Sequence, residues 1–310
     1  MKDLKTYAEF LNKPVKKDWI NFSSFDDWAI QRKMDGFRCI LDGRSFFSKS
    51  GAPYKLLNDH GSWKDNNFPE IVESIRKLKQ NCVLDGEVVV LKESRGNDLK
   101  YEGSFHAIKT LECDFPSLMS RQATQNKLTQ NILRDRHPAT FVAFDILEYE
   151  GDDCRDMTYE DRYHLLKKCQ CFQVGKPFGY QTLRTIQEEF AGANQHDLRN
   201  VKHVHDWCMK LDYEGVVLKP KGVDYYAEQV KLKAWQESEF EIIGVNQSES
   251  KSRLIGTIQV ACDNPTNVKY NGEQSKAILD SLVGKIAEIR YLKPVKAGGK
   301  LRFPSLLSIK

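Results

Sequence analysis

At 310 residues, with 40% hydrophobic and 29% charged side chains, the chain can build one substantial core and a smaller one. No uncharged apolar run reaches membrane-spanning length, and Met1-Lys2-Asp3-Leu4-Lys5 is not followed by the apolar core of a signal peptide, which argues against a membrane or exported protein. The formal charge of +4 is uneven: residues 1–235 carry a net +1 and residues 236–310 a net +3, a bias that suits a polyanionic partner and that ordinary surface lysines would also give.

Eight cysteines are scattered, and only Cys169 and Cys171 lie close together, without the paired Cys-x-x-Cys of a zinc ribbon. Free core thiols in a reducing compartment follow, with a cytoplasmic location.

In chain order, the first informative segment is Lys33-Met34-Asp35-Gly36-Phe37-Arg38, which enters a β-patterned run at 37–41. The Lys33 amine is a candidate nucleophile toward phosphorus, Arg38 a fork suited to phosphate, and Gly36 lets the backbone turn closely around a ligand. Alone, the pattern is also that of a charged surface turn. A helical period over 67–80, starting at Asn66 or Asn67, leads to a strand at 82–91 that carries Asp85 and Glu87 around Gly86. Residues 93–103 and 113–122 read as polar loops, and 121–134 as a helix. A strand at 140–147 holds the pair Phe144-Asp145, and Thr158 starts a helix over 159–169. After a further helix at 198–210, a strand at 214–219 opens with Glu214 and closes with Lys219. In the strand at 230–234, Lys231 and Lys233 alternate with apolar residues and so leave one face together. This first domain, 1–235, reads as mixed α+β with mostly antiparallel sheets.

A boundary falls after Trp235. Beyond it, short strands at 239–245, 254–261, 284–291 and 301–309, interrupted by a helix pattern at 272–282, fit a five-stranded OB-type barrel over 236–310.

Five segments with chemically useful residues in this order resemble the ATP-dependent DNA ligases of the covalent nucleotidyltransferase superfamily, above all the small two-domain viral and bacteriophage-type enzymes. The likeness runs from Trp28 to the last residue. Its C-terminal Arg302-Phe303-Pro304 separates DNA ligases from RNA ligases and capping enzymes better than the lysine motif does. The resemblance implies an ATP-grasp-like nucleotidyltransferase domain of mixed antiparallel sheets with flanking helices, followed by a small all-β OB-fold barrel. It implies that Lys33 accepts AMP from ATP and passes it to the 5′-phosphate of nicked duplex DNA, so that the 3′-hydroxyl can seal the strand. Gln31, Arg38, Lys49, Asp85, Glu87, Phe144, Lys219, Lys231, Lys233 and Arg302 then fall on nucleotide-binding positions, and Glu87 and Glu214 on those that hold Mg²⁺, for which Mn²⁺ could substitute. A monomer without membrane association is expected.

This sequence departs from the family pattern in three places. Gln31 stands where a glutamate usually reads the adenine edge, Lys49 where an arginine is usual, and Lys310 replaces the final arginine. Cationic Lys219, Lys231 and Lys233 are expected to activate Lys33 by disfavouring its ammonium form. The competing readings are an RNA ligase or capping guanylyltransferase, an NAD-dependent ligase, and a non-catalytic nick-binding protein on a ligase scaffold.

Overall fold

The computed structural model describes residues 11–16, 27–42, 46–48, 68–75, 81–91, 113–124, 126–169, 180–182, 213–250, 253–292 and 299–310. The chain divides into two units, Met1–Leu232 and Lys233–Lys310.

In the first unit the β-branched runs become strands of two sheets. One sheet has the order β1-β10-β9-β2, from β1 (Val15–Lys16), β2 (Trp28–Arg32), β9 (Gly215–Pro220) and β10 (Val230–Lys233). β1 runs parallel to β10, and β2 antiparallel to β9. The other sheet has the order β4-β3-β5-β6-β7, from β3 (Phe37–Asp42), β4 (Phe46–Ser48), β5 (Cys82–Val90), β6 (Ala139–Tyr149) and β7 (Asp152–Asp153), and β8 (Tyr180–Thr182) joins β6 in parallel. The helices of this unit among the described residues are α1 (Pro69–Ile75), α2 (Phe115–Ala123), α3 (Lys127–Arg136) and α4 (Tyr159–Lys168).

The central strands of the second sheet, β5 and β6, are buried on both faces, which is why they read as near-continuous apolar runs. One face, with Cys39, Leu41, Leu84, Val88, Phe141 and Ala143, packs on Phe68 and on α1, α2 and α4 through Ile71, Leu118 and Leu166. The opposite face carries Ile40, Val83 and Leu147 against Leu11 and Tyr225, and Val89 and Val142 against Met34. Arg38, Asp85 and Glu87 share this second face, since Arg38 pairs with Glu87 and Ile40 with Asp85 across β3 and β5.

Two sequence expectations about the helices of the first unit need correction. Residues 113–122 are mostly α2 rather than a loop, because Asp114 accepts the Ser117 N–H (3.1 Å) and Pro116 suits a first turn. The single helix expected at 121–134 is two helices, because Asn126 takes an extended backbone and caps α3 by accepting the Thr129 N–H (3.1 Å). Thr158 does cap α4, accepting from Asp161 N–H at 3.2 Å. The expected helix starts at Asn66 or Asn67, the loop at 93–103 and the helix at 198–210 lie outside the described residues.

The second unit is a curled antiparallel sheet of order β13-β12-β11-β14-β15, with β11 (Gln236–Ser250), β12 (Arg253–Val260), β13 (Thr266–Tyr270), β14 (Ile286–Leu292) and β15 (Arg302–Ile309), and the short helix α5 (Lys276–Asp280). β11 is far longer than the 239–245 expected. Its first half pairs with β14 and its second with β12, and the register slips between Ile242 and Gly244, where it changes partner. The topology is OB-like, but the closed barrel expected is not formed by pairing among the described strands. Between the outer strands' ends, the Thr266 hydroxyl instead accepts the Leu301 N–H at 3.1 Å. No described helix is long and apolar enough to cross a membrane.

Candidate active site

Lys33 follows β2, and its backbone N–H donates to the Gly215 carbonyl (2.8 Å), one step beyond the Arg32–Val216 pair of the β2–β9 ladder. This continuation of the ladder brings Lys33 beside Glu214, 181 residues away, and Lys33 Nζ donates to Glu214 Oε2 at 2.5 Å. The loop that carries Lys33 also lies tightly on β5. A Cβ on Gly36 would sit 2.1 Å from the Val88 carbonyl oxygen, so only glycine fits there. Gly86 is equally constrained, because a Cβ there would stand 2.4 Å from the Phe141 ring.

Electrostatics around Lys33 differ from the sequence expectation. Burial pushes the Lys33 pKa down, but Glu214, Glu87 and Asp35 together outweigh it, and the net shift is upward. Carboxylates, not lysines, dominate the surroundings, so the resting amine is held as an ammonium ion. Glu87 bears the opposite strain. Burial, with Glu214 and Asp85 adding to it, outweighs the pull of Lys33 and Arg38 and pushes its carboxyl up to about 8.

Lys219 is engaged by other groups. Its Nζ donates to Asp145 Oδ2 (3.0 Å) and to the Phe144 carbonyl (2.9 Å), and Arg162 Nε donates to the other Asp145 oxygen at 2.8 Å. All three side chains are buried. Lys219 and Arg162 hold Asp145 below the usual carboxylate range against burial, and burial lowers the pKa of Lys219 itself. A register slip between Asp85 and Gly86 in the β5–β6 ladder makes this arrangement possible. Glu87 pairs with Val142, and Asp85 pairs with Asp145, so the adjacent Phe144 and Asp145 both reach the Arg38 face. The Phe144 ring is flanked by Arg38 (5.5 Å to the guanidinium carbon) and Lys219 (4.8 Å to Nζ). Buried Gln31 points its amide nitrogen at the Phe144 carbonyl, 3.4 Å away.

Asp85, fully buried, grips Arg38 at both ends, with Nε to Oδ1 at 3.0 Å and Nη2 to Oδ2 at 2.6 Å. The structure thus brings Lys33, Glu87 and Glu214 together, and beside them Gln31, Arg38, Asp85, Phe144 and Lys219. Lys231 and Lys233 are both partly buried on one face of β10. Lys233 already belongs to the second unit, where its ammonium lies 4.7 Å from the ring of Phe303, and the Arg302 guanidinium carbon lies 5.7 Å from the same ring. Lys49 lies outside the described residues. Lys310 ion-pairs with Glu239. Sequence reasoning missed Arg162, Tyr225 and Asn12, which carry no motif, and treated Asp145 only as the neighbour of Phe144.

Glu87 and Glu214 suit a hard divalent cation, as Mg²⁺ is commonly held by one or two carboxylates together with substrate phosphates. A buried carboxyl pushed up to about 8 is a group whose proton such an ion would displace. Among the described residues no three His, Cys, Asp or Glu side chains are grouped so as to hold a metal ion.

Two sheets meeting over a lysine, a pair of glutamates and a cation-flanked aromatic define a nucleotidyltransferase-like α+β domain. Residues 9–236 match the ATP dependent DNA ligase domain, and the chain belongs to that family. It is 26% identical over 273 residues to the multifunctional non-homologous end joining protein LigD of Pseudomonas aeruginosa, covering 84% of this chain and 27% of that protein. To DNA ligase C of Mycobacterium tuberculosis it is 23% identical over 247 residues, covering 75% of this chain and 57% of that protein. The chain thus spans from about a quarter to rather more than half of these curated relatives. Its fold is similar to that of a Lig E DNA ligase (TM-score 0.62, 16% identity, 97% of this chain and 98% of that one). The ligase domain of M. tuberculosis LigD is also similar (TM-score 0.51, 16% identity, 98% and 96%).

Proposed function

We propose that this protein is an ATP-dependent DNA ligase that seals nicks in duplex DNA through a lysyl-AMP intermediate on Lys33. The observation that carries this reading is the Lys33–Glu214 contact, which holds an amine beside carboxylates in a chain of the ligase family. The deprotonated Lys33 amine attacks the α-phosphorus of ATP, forming the N–P bond as pyrophosphate leaves. The 5′-phosphate oxygen of the nick then attacks the same phosphorus and frees Lys33. Finally the 3′-hydroxyl attacks the activated 5′-phosphate and AMP departs. Glu87 and Glu214 would hold Mg²⁺, or Mn²⁺ in its place, which supplies neutralisation of phosphate charge. Phe144 stacks on adenine, Gln31 reads its edge, Arg38 contacts the ribose or the nick phosphate, and Lys231 and Lys233 stabilise phosphoryl oxygens. Lys219, tied to Asp145, serves the wall of the base pocket.

The adenylation domain in this reading is 1–235 and the OB-fold domain 236–310. Arg302 closes on the β- and γ-phosphates during the first step. The enzyme works as a monomer on nicked DNA, and free thiols at Cys39, Cys82, Cys154 and Cys169 support a reducing, cytoplasmic setting. Incubation with α-labelled ATP should label the protein covalently, and a chase with nicked duplex should remove the label and join the strand. Lys33→Ala should take no label while keeping the wild-type circular dichroism spectrum. A Lys33→Ala protein labelled at the wild-type level would overturn the assignment.

A further inference from the structure

Arg38 is held by more than Asp85. Its Nη1 donates to the Asn12 carbonyl (2.6 Å), and its Nη2 lies 3.3 Å from the Tyr225 hydroxyl. That hydroxyl donates to Asp85 Oδ2 at 2.7 Å, so Tyr225 and Arg38 converge on one carboxylate oxygen. One Nη1 N–H is left without a partner among the described residues. Tyr225 is itself fixed in place. Its ring is buried with Leu11, Ile40, Val83 and Leu147, and Asn12 Nδ2 donates to the carbonyls of Tyr225 (2.6 Å) and Ala227 (2.8 Å).

The ring of Tyr225 has a second neighbour, the Arg162 guanidinium at 5.4 Å, and Arg162 holds Asp145, which holds Lys219. The contacts close on themselves. From Tyr225 they run through Asp85 to Arg38 and through Arg162 and Asp145 to Lys219, and both cations flank Phe144.

We infer that Tyr225 is a positioning residue of the nucleotide site: its hydroxyl orients Arg38 through Asp85, and its ring seats the Arg162–Asp145 pair that places Lys219. This rests on the ligase reading for the role of Arg38 but not for the arrangement itself. Locking four of the five guanidinium N–H groups aims the fifth, so the substrate does not bear the cost of ordering a free arginine.

The test uses Tyr225→Phe, Arg38→Gln and the double variant, with self-adenylylation and the sealing of a nick already carrying 5′-AMP measured separately. A step that Arg38→Gln slows should be slowed by Tyr225→Phe, by about tenfold or more for a hydrogen bond to a charged group. In the double variant Tyr225→Phe should add nothing to Arg38→Gln, as expected for a residue acting through another. Full additivity, or an effect on a step that Arg38→Gln leaves untouched, would reduce Tyr225 to a packing residue. If Tyr225→Phe does not fold, Asn12→Ala, which releases the Tyr225 backbone, enters the same cycle. A readout independent of activity is hydrogen exchange at the Arg38 Nε–H by nitrogen-15 NMR, which should quicken about tenfold in the phenylalanine variant. Unchanged exchange overturns the inference, whereas wild-type protein that never labels with ATP overturns the ligase reading alone.

Discussion

Lys33 and Glu214 form a 2.5 Å ion pair in which the lysine side chain is 23% exposed and the glutamate 6%. The same contact that positions the amine keeps it protonated. A lysine in this setting has to lose its carboxylate partner's attraction before it can attack phosphorus, and a cation taken up by Glu214 and Glu87 would provide that release.

The pH dependence follows directly. The Lys33 pKa is raised by Glu214, so the fraction of free amine, and with it the single-turnover rate of self-adenylylation, should climb with pH through the neutral range. Glu214→Gln removes the largest raising influence and should move the rise to lower pH, even if the maximum rate falls. An unmoved profile would mean that Lys33 is not the titrating group.

Glu87 predicts a linked stability effect. Its carboxyl titrates near 4.5 when unperturbed and is pushed up to about 8 in the fold, so the folded state binds the extra proton between these values. The contribution is fully present below the lower value and is lost as pH rises through the upper one. In chelator, the melting temperature should therefore decline across this interval, and Mg²⁺ should raise it more on the alkaline side. Glu87→Gln should flatten both dependences in calorimetry.

Alanine at Glu87 or at Glu214 should slow nick sealing by about 10²–10³, the usual cost of deleting one preorganised electrostatic group. Partial rescue by Mn²⁺ would fit a weakened metal site. Unchanged sealing with unchanged Mg²⁺ dependence in both variants would place the metal elsewhere.

Asp145 is bonded to two cations in the core, and its loss would strand both. Asp145→Ala should cost about 3–5 kcal/mol in urea unfolding, as for other broken buried ion pairs. A loss no larger than that of a surface substitution would show that Lys219 and Arg162 find other partners.

Arg302→Ala should separate the steps. In the proposed role Arg302 clamps pyrophosphate and has a task only while ATP is present, so the variant should lose self-adenylylation yet still seal a nick already carrying 5′-AMP. Equal losses in the two assays would assign Arg302 to the stability of its sheet or to DNA binding.

The order of the motif segments, the strands bearing Arg38, Glu87 and Phe144, and the alternation of Lys231 and Lys233 were legible in the sequence, because strand periodicity and turn residues are local properties. Helix ends between 113 and 136 were less so, since the caps at Asp114 and Asn126 compete with the apolar period. What Lys219 does could not be read locally at all. Its cation was counted toward Lys33, and the fold gave it to Asp145, through a one-residue slip between β5 and β6 that puts two adjacent side chains on one face. The proton on Lys33 and the strap of Asn12 and Tyr225 around Arg38 were likewise decided only in three dimensions. Residue types and their spacing determine which chemistry the chain can carry, but the charge state of a buried group depends on neighbours brought from distant parts of the sequence, and these only the packing of two sheets supplies.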